Sequence, residues 1–231
     1  MSGCGSSSFE PLYQKPLRDR SPLTLPARMI ALEGIDQSGK RTQSRLLRNR
    51  LKRLGFIVRI ISYPIYGSPS GRLIERYLKG EQNYPTEALH MLYSLNRWEN
   101  RELIQGLLKE ADFLIADRYA PSNLAYGVSK GMNLTWLIGL DSGLPKADLV
   151  IILGLPVRSS FARKSKHRDV HEKNSTLLAS VNESYRKLGK KLGWKAIDAT
   201  ASVQDVESAI WKIVQTRFRI PHRKQDQTRS S

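Results

Sequence analysis

The stretch Ile30-Ala-Leu-Glu33-Gly34-Ile35-Asp36-Gln37-Ser38-Gly39-Lys40-Arg41-Thr42 constrains this chain more than any other. The apolar run Met29 to Leu32 reads as a buried strand, and Gly34 and Gly39 bracket a turn. Lys40 then opens a segment in which Leu46, Leu47, Leu51 and Leu54 recur at helical spacing, with Gly55 as its stop. Strand, glycine-bracketed loop and helix, in that order, are what a phosphate-binding loop requires. Glycine lets backbone N–H groups turn inward onto phosphate oxygens. The helix start adds unpaired amides and the positive end of its dipole, and the lysine adds a mobile charge. Gly34, Ile35, Asp36, Gln37, Ser38, Gly39, Lys40, Arg41 and Thr42 are therefore the candidate cradle for donor phosphates. One residue departs from the pattern. A hydroxyl that could hold magnesium is expected after the lysine, and this chain has Arg41, whose guanidinium only donates and stays positive. Thr42 follows, but neighbours on a helix point about 100° apart, so its hydroxyl is expected to face elsewhere.

A chain of 231 residues can bury a full core around such a loop, and its 40% apolar content suits a folded domain rather than a disordered one. The balance of 38 Lys+Arg against 21 Asp+Glu gives +17 and favours anionic partners, whether nucleotides, nucleic acid or a membrane surface. The single cysteine, Cys4, excludes an internal disulfide and fits a reducing, cytoplasmic setting. No apolar stretch approaches a membrane span, and the N-terminus lacks a secretory core.

Residues 1–27, rich in Ser, Gly and Pro, read as a disordered or surface-draped leader, and 219–231 as a basic tail. Between them strands and helices alternate. Strands are expected at Phe56 to Ile61, Phe113 to Ala116, Leu149 to Leu153 and Ala196 to Asp198. Helices are expected at Arg72 to Lys79, from an N-cap at Thr86 through Glu110, at Ser122 to Lys130, Leu134 to Leu140, Asn174 to Leu192 and Val203 to Phe218. Such alternation predicts an α/β fold with a parallel sheet covered by helices on both faces. Ligands collect beyond the carboxyl ends of such strands, which puts Asp117 and Arg118 in the same layer as Lys40. The charged insertion around residues 158–173, between a strand and a helix, reads as a loop-like, mobile basic lid carrying Arg163 and Arg168.

Four segments in order carry a resemblance: Glu33-Gly-Ile-Asp36-Gln-Ser-Gly-Lys40, Tyr93-Ser-Leu-Asn-Arg97-Trp-Glu, Asp117-Arg118-Tyr-Ala-Pro-Ser122-Asn and Gly143-Leu-Pro-Lys-Ala-Asp148. From about residue 28 to 218 the chain resembles thymidylate kinase, a P-loop nucleoside monophosphate kinase with the three-layer P-loop NTPase fold, with a flavour of its archaeal branch. The resemblance implies ATP-dependent phosphorylation of dTMP to dTDP, with ATP and magnesium as donor and metal. It also implies a homodimer, with no membrane association and no nucleic acid as main partner.

Roles follow from the same resemblance. Tyr93 would stack on thymine and Arg97 bond its carbonyl oxygen; their spacing of four puts both on one helix face. Ser122 would contact the base edge and Tyr126 line the pocket. Arg118 would fork onto the acceptor phosphate and Asp36 take the sugar 3′-hydroxyl. Asp117 would lie beside the metal. Lys40, Arg163 and Arg168 would neutralise the transferring group, because Gln37 stands where some relatives carry a catalytic arginine. Tyr66 replaces a phosphate-binding arginine, and His171-Glu172 stands where Tyr-Glu is usual near the sugar. The competing readings are another monophosphate kinase, a low-activity kinase-like protein, and a basic nucleic-acid binder with a vestigial loop.

Overall fold

The computed structural model describes residues 27–163 and 169–221; the expected leader, most of the expected tail and Arg168 lie outside these. The described chain runs β1 (Arg28–Glu33), α1 (Lys40–Arg53), β2 (Val58–Ser62), α2 (Pro69–Lys79), α3 (Thr86–Glu99), α4 (Arg101–Glu110) and β3 (Phe113–Asp117). It continues through α5 (Ala120–Ser129), α6 (Leu134–Leu140), β4 (Leu149–Gly154), α7 (Val157–Arg163), α8 (Val170–Lys173), α9 (Ser175–Leu192), β5 (Lys195–Asp198) and α10 (Val203–Phe218). The five strands form one sheet in the order β2-β3-β1-β4-β5, every pairing parallel.

Side-chain alternation along the central strands builds two cores. Ile30 and Leu32 of β1, with Phe113 and Ile115 of β3, face the cluster that includes Leu47 and Leu51 of α1, Leu178 and Val181 of α9, and Ile210 and Val214 of α10. Met29, Ala31, Leu114 and Ala116 face the other way, onto Ile104 of α4. A strand buried on both faces reads as an unbroken apolar run, which is why β1, β3 and β4 are legible in the sequence.

Several element boundaries differ from expectation for local physical reasons. Helix α2 starts at Pro69, not Arg72: Ser68 caps it by accepting from Gly71 N at 3.2 Å, and the turn-like Pro-Ser-Gly is its first turn. Gly71 is required there, since a Cβ would lie 1.8 Å from the Ile65 carbonyl oxygen. Thr86 is the first residue of α3 rather than its cap, which is Pro85. The single long helix expected through Glu110 is broken at Asn100. That side chain donates to Asn96 O at 2.8 Å and competes with the helical ladder. The expected lid is helical at both described ends, α7 and α8, rather than loop-like. Among the described residues no helix is long and apolar enough to cross a membrane.

Candidate active site

The loop between β1 and α1 turns on its two glycines. Gly34 and Gly39 take φ of 135° and 93°, and a Cβ on Gly34 would lie 2.6 Å from the Leu153 carbonyl oxygen. Helix α1 begins at Lys40 with no side chain capping it, so its first amides are left for a ligand. Lys40 is buried, and its Nζ donates to Gly34 O at 3.1 Å and Ile35 O at 2.8 Å. Burial, then the nearby Arg118 charge, bring its pKa down to about 8. Ser38 Oγ is buried in the loop without a hydrogen-bond partner.

Two cavities open at the carboxyl ends of the central strands. The first is bordered by the whole loop from Asp36 to Gln43, with Asp117, Arg163 and the Ala199–Val206 region. Arg41 and Thr42 both border it. The second is lined by Tyr66, Tyr93, Arg97, Ser122, Tyr126, Asp169 and His171, among others. Asp36, Tyr63 and Arg118 border both cavities and form the wall between them.

That wall is held from below by Glu33, a carboxylate that closes the apolar run Met29 to Leu32 of β1. Glu33 accepts from Tyr119 N at 2.8 Å, Ser122 Oγ at 2.5 Å and Tyr185 OH at 3.0 Å, and burial raises its pKa despite them. Arg118 has φ +66°, a conformation non-glycine residues seldom adopt, between its own N–H on Leu32 O and the Tyr119 amide on Glu33. The turn aims its guanidinium into the wall, where it donates to Asp36 Oδ1 at 2.5 Å, Gly34 O at 2.9 Å and Ser122 Oγ at 3.2 Å. Burial works to raise the pKa of Asp36, but Arg118 and Lys40 outweigh it and hold the carboxyl well below its usual range. Ser122 is thus tied into this support as much as into the pocket.

In the second cavity Tyr93 and Arg97 come together on the inner face of α3, as their spacing predicted. Arg97 is paired with Asp141 through two hydrogen bonds, 3.0 Å and 2.7 Å. His171 forms part of the wall between the Tyr77 and Tyr126 rings, with Nε2 3.4 Å from Tyr93 OH; burial lowers its pKa to about 4, so it is neutral at pH 7. Tyr126 OH lies 3.5 Å from Asp36. The lid end is bound to the loop at three points. Ser160 Oγ donates to Asp36 O at 2.9 Å, Arg163 Nη1 to Gln37 O at 3.0 Å, and Gln37 Nε2 to Glu172 Oε1 at 3.1 Å. Arg163 also donates to Ala199 O at 2.8 Å and so spans the first cavity's rim.

Among the described residues there is no group of three side chains able to ligate a metal. Asp117 borders the first cavity. One carboxylate beside a phosphate cradle fits magnesium, which keeps several waters and takes few protein ligands.

Glu33, Asp141, Asn96 and Tyr185 also support the site, and no role for them is read from the sequence. Glu33 carried a signal, an acid closing an apolar run. Asn96, which donates to Ile65 O and accepts from Ile65 N, lies between Tyr93 and Arg97 in the sequence. Asp141 and Tyr185 carried none, because their partners lie 44 and 152 residues away.

A family model described as Thymidylate kinase matches residues 32–210. The thymidylate kinase of Plasmodium falciparum is 35% identical over 188 residues, covering 81% of this chain and 89% of the relative. The human thymidylate kinase is 34% identical over 185 residues, covering 79% and 87%, and a probable thymidylate kinase of Pyrococcus horikoshii 35% identical, covering 80% and 94%. Among solved structures, the thymidylate kinase of Candida albicans has a TM-score of 0.74 at 30% identity, covering 84% of this chain and 93% of that one.

Proposed function

Because the chain belongs to the thymidylate kinase family, we propose that it moves the terminal phosphoryl group of ATP onto dTMP across the wall its two cavities share. It is a phosphotransferase that makes dTDP. The observation that carries the site reading is that Asp36 and Arg118 border both cavities at once. Donor and acceptor phosphates approaching from the two sides meet there. The acceptor phosphate is already largely ionised near neutral pH, so no general base is needed, and the protein contributes alignment and charge neutralisation.

The donor phosphates take the uncapped amides of α1 and the loop, and Lys40 exchanges its carbonyl partners for phosphate oxygens. Arg118 forks onto the acceptor phosphate, which frees Asp36 for the sugar 3′-hydroxyl. Tyr93 stacks on the pyrimidine, Arg97 donates to its 4-carbonyl, and Ser122 and Tyr126 complete the pocket wall. Arg163, already on the loop backbone, stabilises charge on the transferring group in place of an arginine at Gln37. Asp117 would hold magnesium, which when bound would supply neutralising charge to the donor phosphates. The protein works as a homodimer. The family resemblance supports this, as do Met91 and Leu95, which lie one turn apart on α3 and are 46% and 53% exposed.

The test is ADP release from purified protein and ATP with dTMP, dUMP, dCMP or dGMP, with and without magnesium. Release should be fastest with dTMP and about ten- to a few-hundredfold slower with dUMP, the usual cost of one missing methyl. It should stop without the metal. Faster turnover of dCMP or dGMP would overturn the pocket assignment, and metal-independent turnover the role given to Asp117.

A further inference from the structure

We infer that Asp141, which does not border the acceptor cavity, sets base selectivity by fixing the guanidinium of Arg97; the inference rests on the reading that Arg97 donates to the pyrimidine. The Arg97 side chain is 4% exposed and that of Asp141 9%. A buried guanidinium needs a carboxylate and needs its N–H groups met. Asp141 meets two in parallel, Nε to Oδ1 at 3.0 Å and Nη2 to Oδ2 at 2.7 Å. A two-point fork sets the plane of the guanidinium as well as its place. It leaves the Nη1 edge for what enters the cavity that Arg97 borders. That edge has donors only, so it suits a 4-carbonyl and opposes a 4-amino group.

The carboxylate is itself immobilised. It follows the last residue of α6, and Ser94 Oγ lies 2.7 Å from its Oδ1 and 2.8 Å from Leu140 O. Trp98 Nε1 donates to the same Leu140 carbonyl at 2.8 Å. Ser94, Arg97 and Trp98 are three and four apart on α3, so one helix face grips the end of α6. Beyond it, Gly143 at φ +100° passes so close to Trp98 that a Cβ would sit 3.1 Å from the ring. The end of α6 therefore cannot shift without moving α3, and α3 carries both Tyr93 and Arg97. Asp141 is a positioning residue that acts through Arg97.

The test compares Asp141→Asn, Asp141→Glu and Arg97→Lys with the unaltered enzyme. It reads kcat and KM for dTMP, KM for ATP, and the ratio of kcat/KM for dTMP over dCMP. Asp141→Asn weakens the fork and Asp141→Glu keeps the charge but displaces the guanidinium. Both should raise KM for dTMP by roughly ten- to a hundredfold, as small misplacements do. Both should cut the dTMP:dCMP ratio at least tenfold, with KM for ATP within about threefold. A loss of Tm with an unchanged ratio in either folded variant would mean that Asp141 is only structural, and the inference falls. If Arg97→Lys also keeps the ratio, the base-reading role of Arg97 falls first. If Arg97→Lys loses it while both Asp141 variants keep it, only the positioning role is lost. Should Asp141→Asn fail to fold, Asp141→Glu decides the question by the same ratio.

Discussion

Lys40 shows how far single residues depend on surroundings that the sequence names only in part. Its ammonium is buried against two loop carbonyls, and burial together with Arg118 holds its pKa near 8 instead of 10.5. Between those values the free enzyme loses the charge that donor phosphates need. Bound phosphates restore the charge by raising the pKa. The sign follows: kcat/KM for ATP, which reports the free enzyme, should fall as pH rises through about 8, while kcat, which reports the complex, should hold to higher pH. A kcat/KM profile flat to pH 9.5 would show that Lys40 stays charged and that the account of its burial is wrong. Arg118 and Gln37 make a related point. Both hold positive φ, at 66° and 64°, a strain of about 1–3 kcal/mol each for non-glycine residues that surrounding bonds must sustain. For Arg118 those bonds come from Leu32 O and Glu33.

At the scale of elements, α7 is the piece whose meaning changed most between chain and fold. A basic insertion suggested a loop-like lid. The structure instead has a short helix tied to the phosphate loop by Ser160 and Arg163. Arg163→Ala should lower kcat roughly a hundredfold or more, the range arginines contribute to phosphoryl transfer, while ATP affinity changes far less. A single-turnover rate within threefold of the unaltered enzyme would reduce α7 to a structural strap. Helices α3 and α4 carry a different lesson. Apolar periodicity runs through both, and the break falls at Asn100, whose side chain bonds Asn96 O. A hydrogen bond of that kind is invisible to periodicity.

The whole molecule is a parallel sheet sandwiched between helices, with two cavities at one end. The proposed homodimer would form on α3 at the exposed Met91 and Leu95. Sedimentation at micromolar concentration should show a dimer, and Leu95→Glu should shift it toward monomer; a native protein that sediments as a monomer would refute the assembly. The charge of +17 favours anionic partners, but it chose none of them. By itself the sequence determined the layered α/β fold, since unbroken apolar strands between helical repeats have few other ways to be buried. It also determined the glycine-bracketed loop ahead of α1, because Gly34 and Gly39 act through local backbone geometry, and the pairing of Tyr93 with Arg97, because one helical turn joins them. Only the tertiary structure decided that Asp36 and Arg118 stand between two cavities, that Glu33 and Tyr185 brace them, and that Asp141 holds Arg97. Those contacts join residues 44 to 152 positions apart, and no local propensity or periodicity records which distant side chains the packing of a sheet will bring face to face.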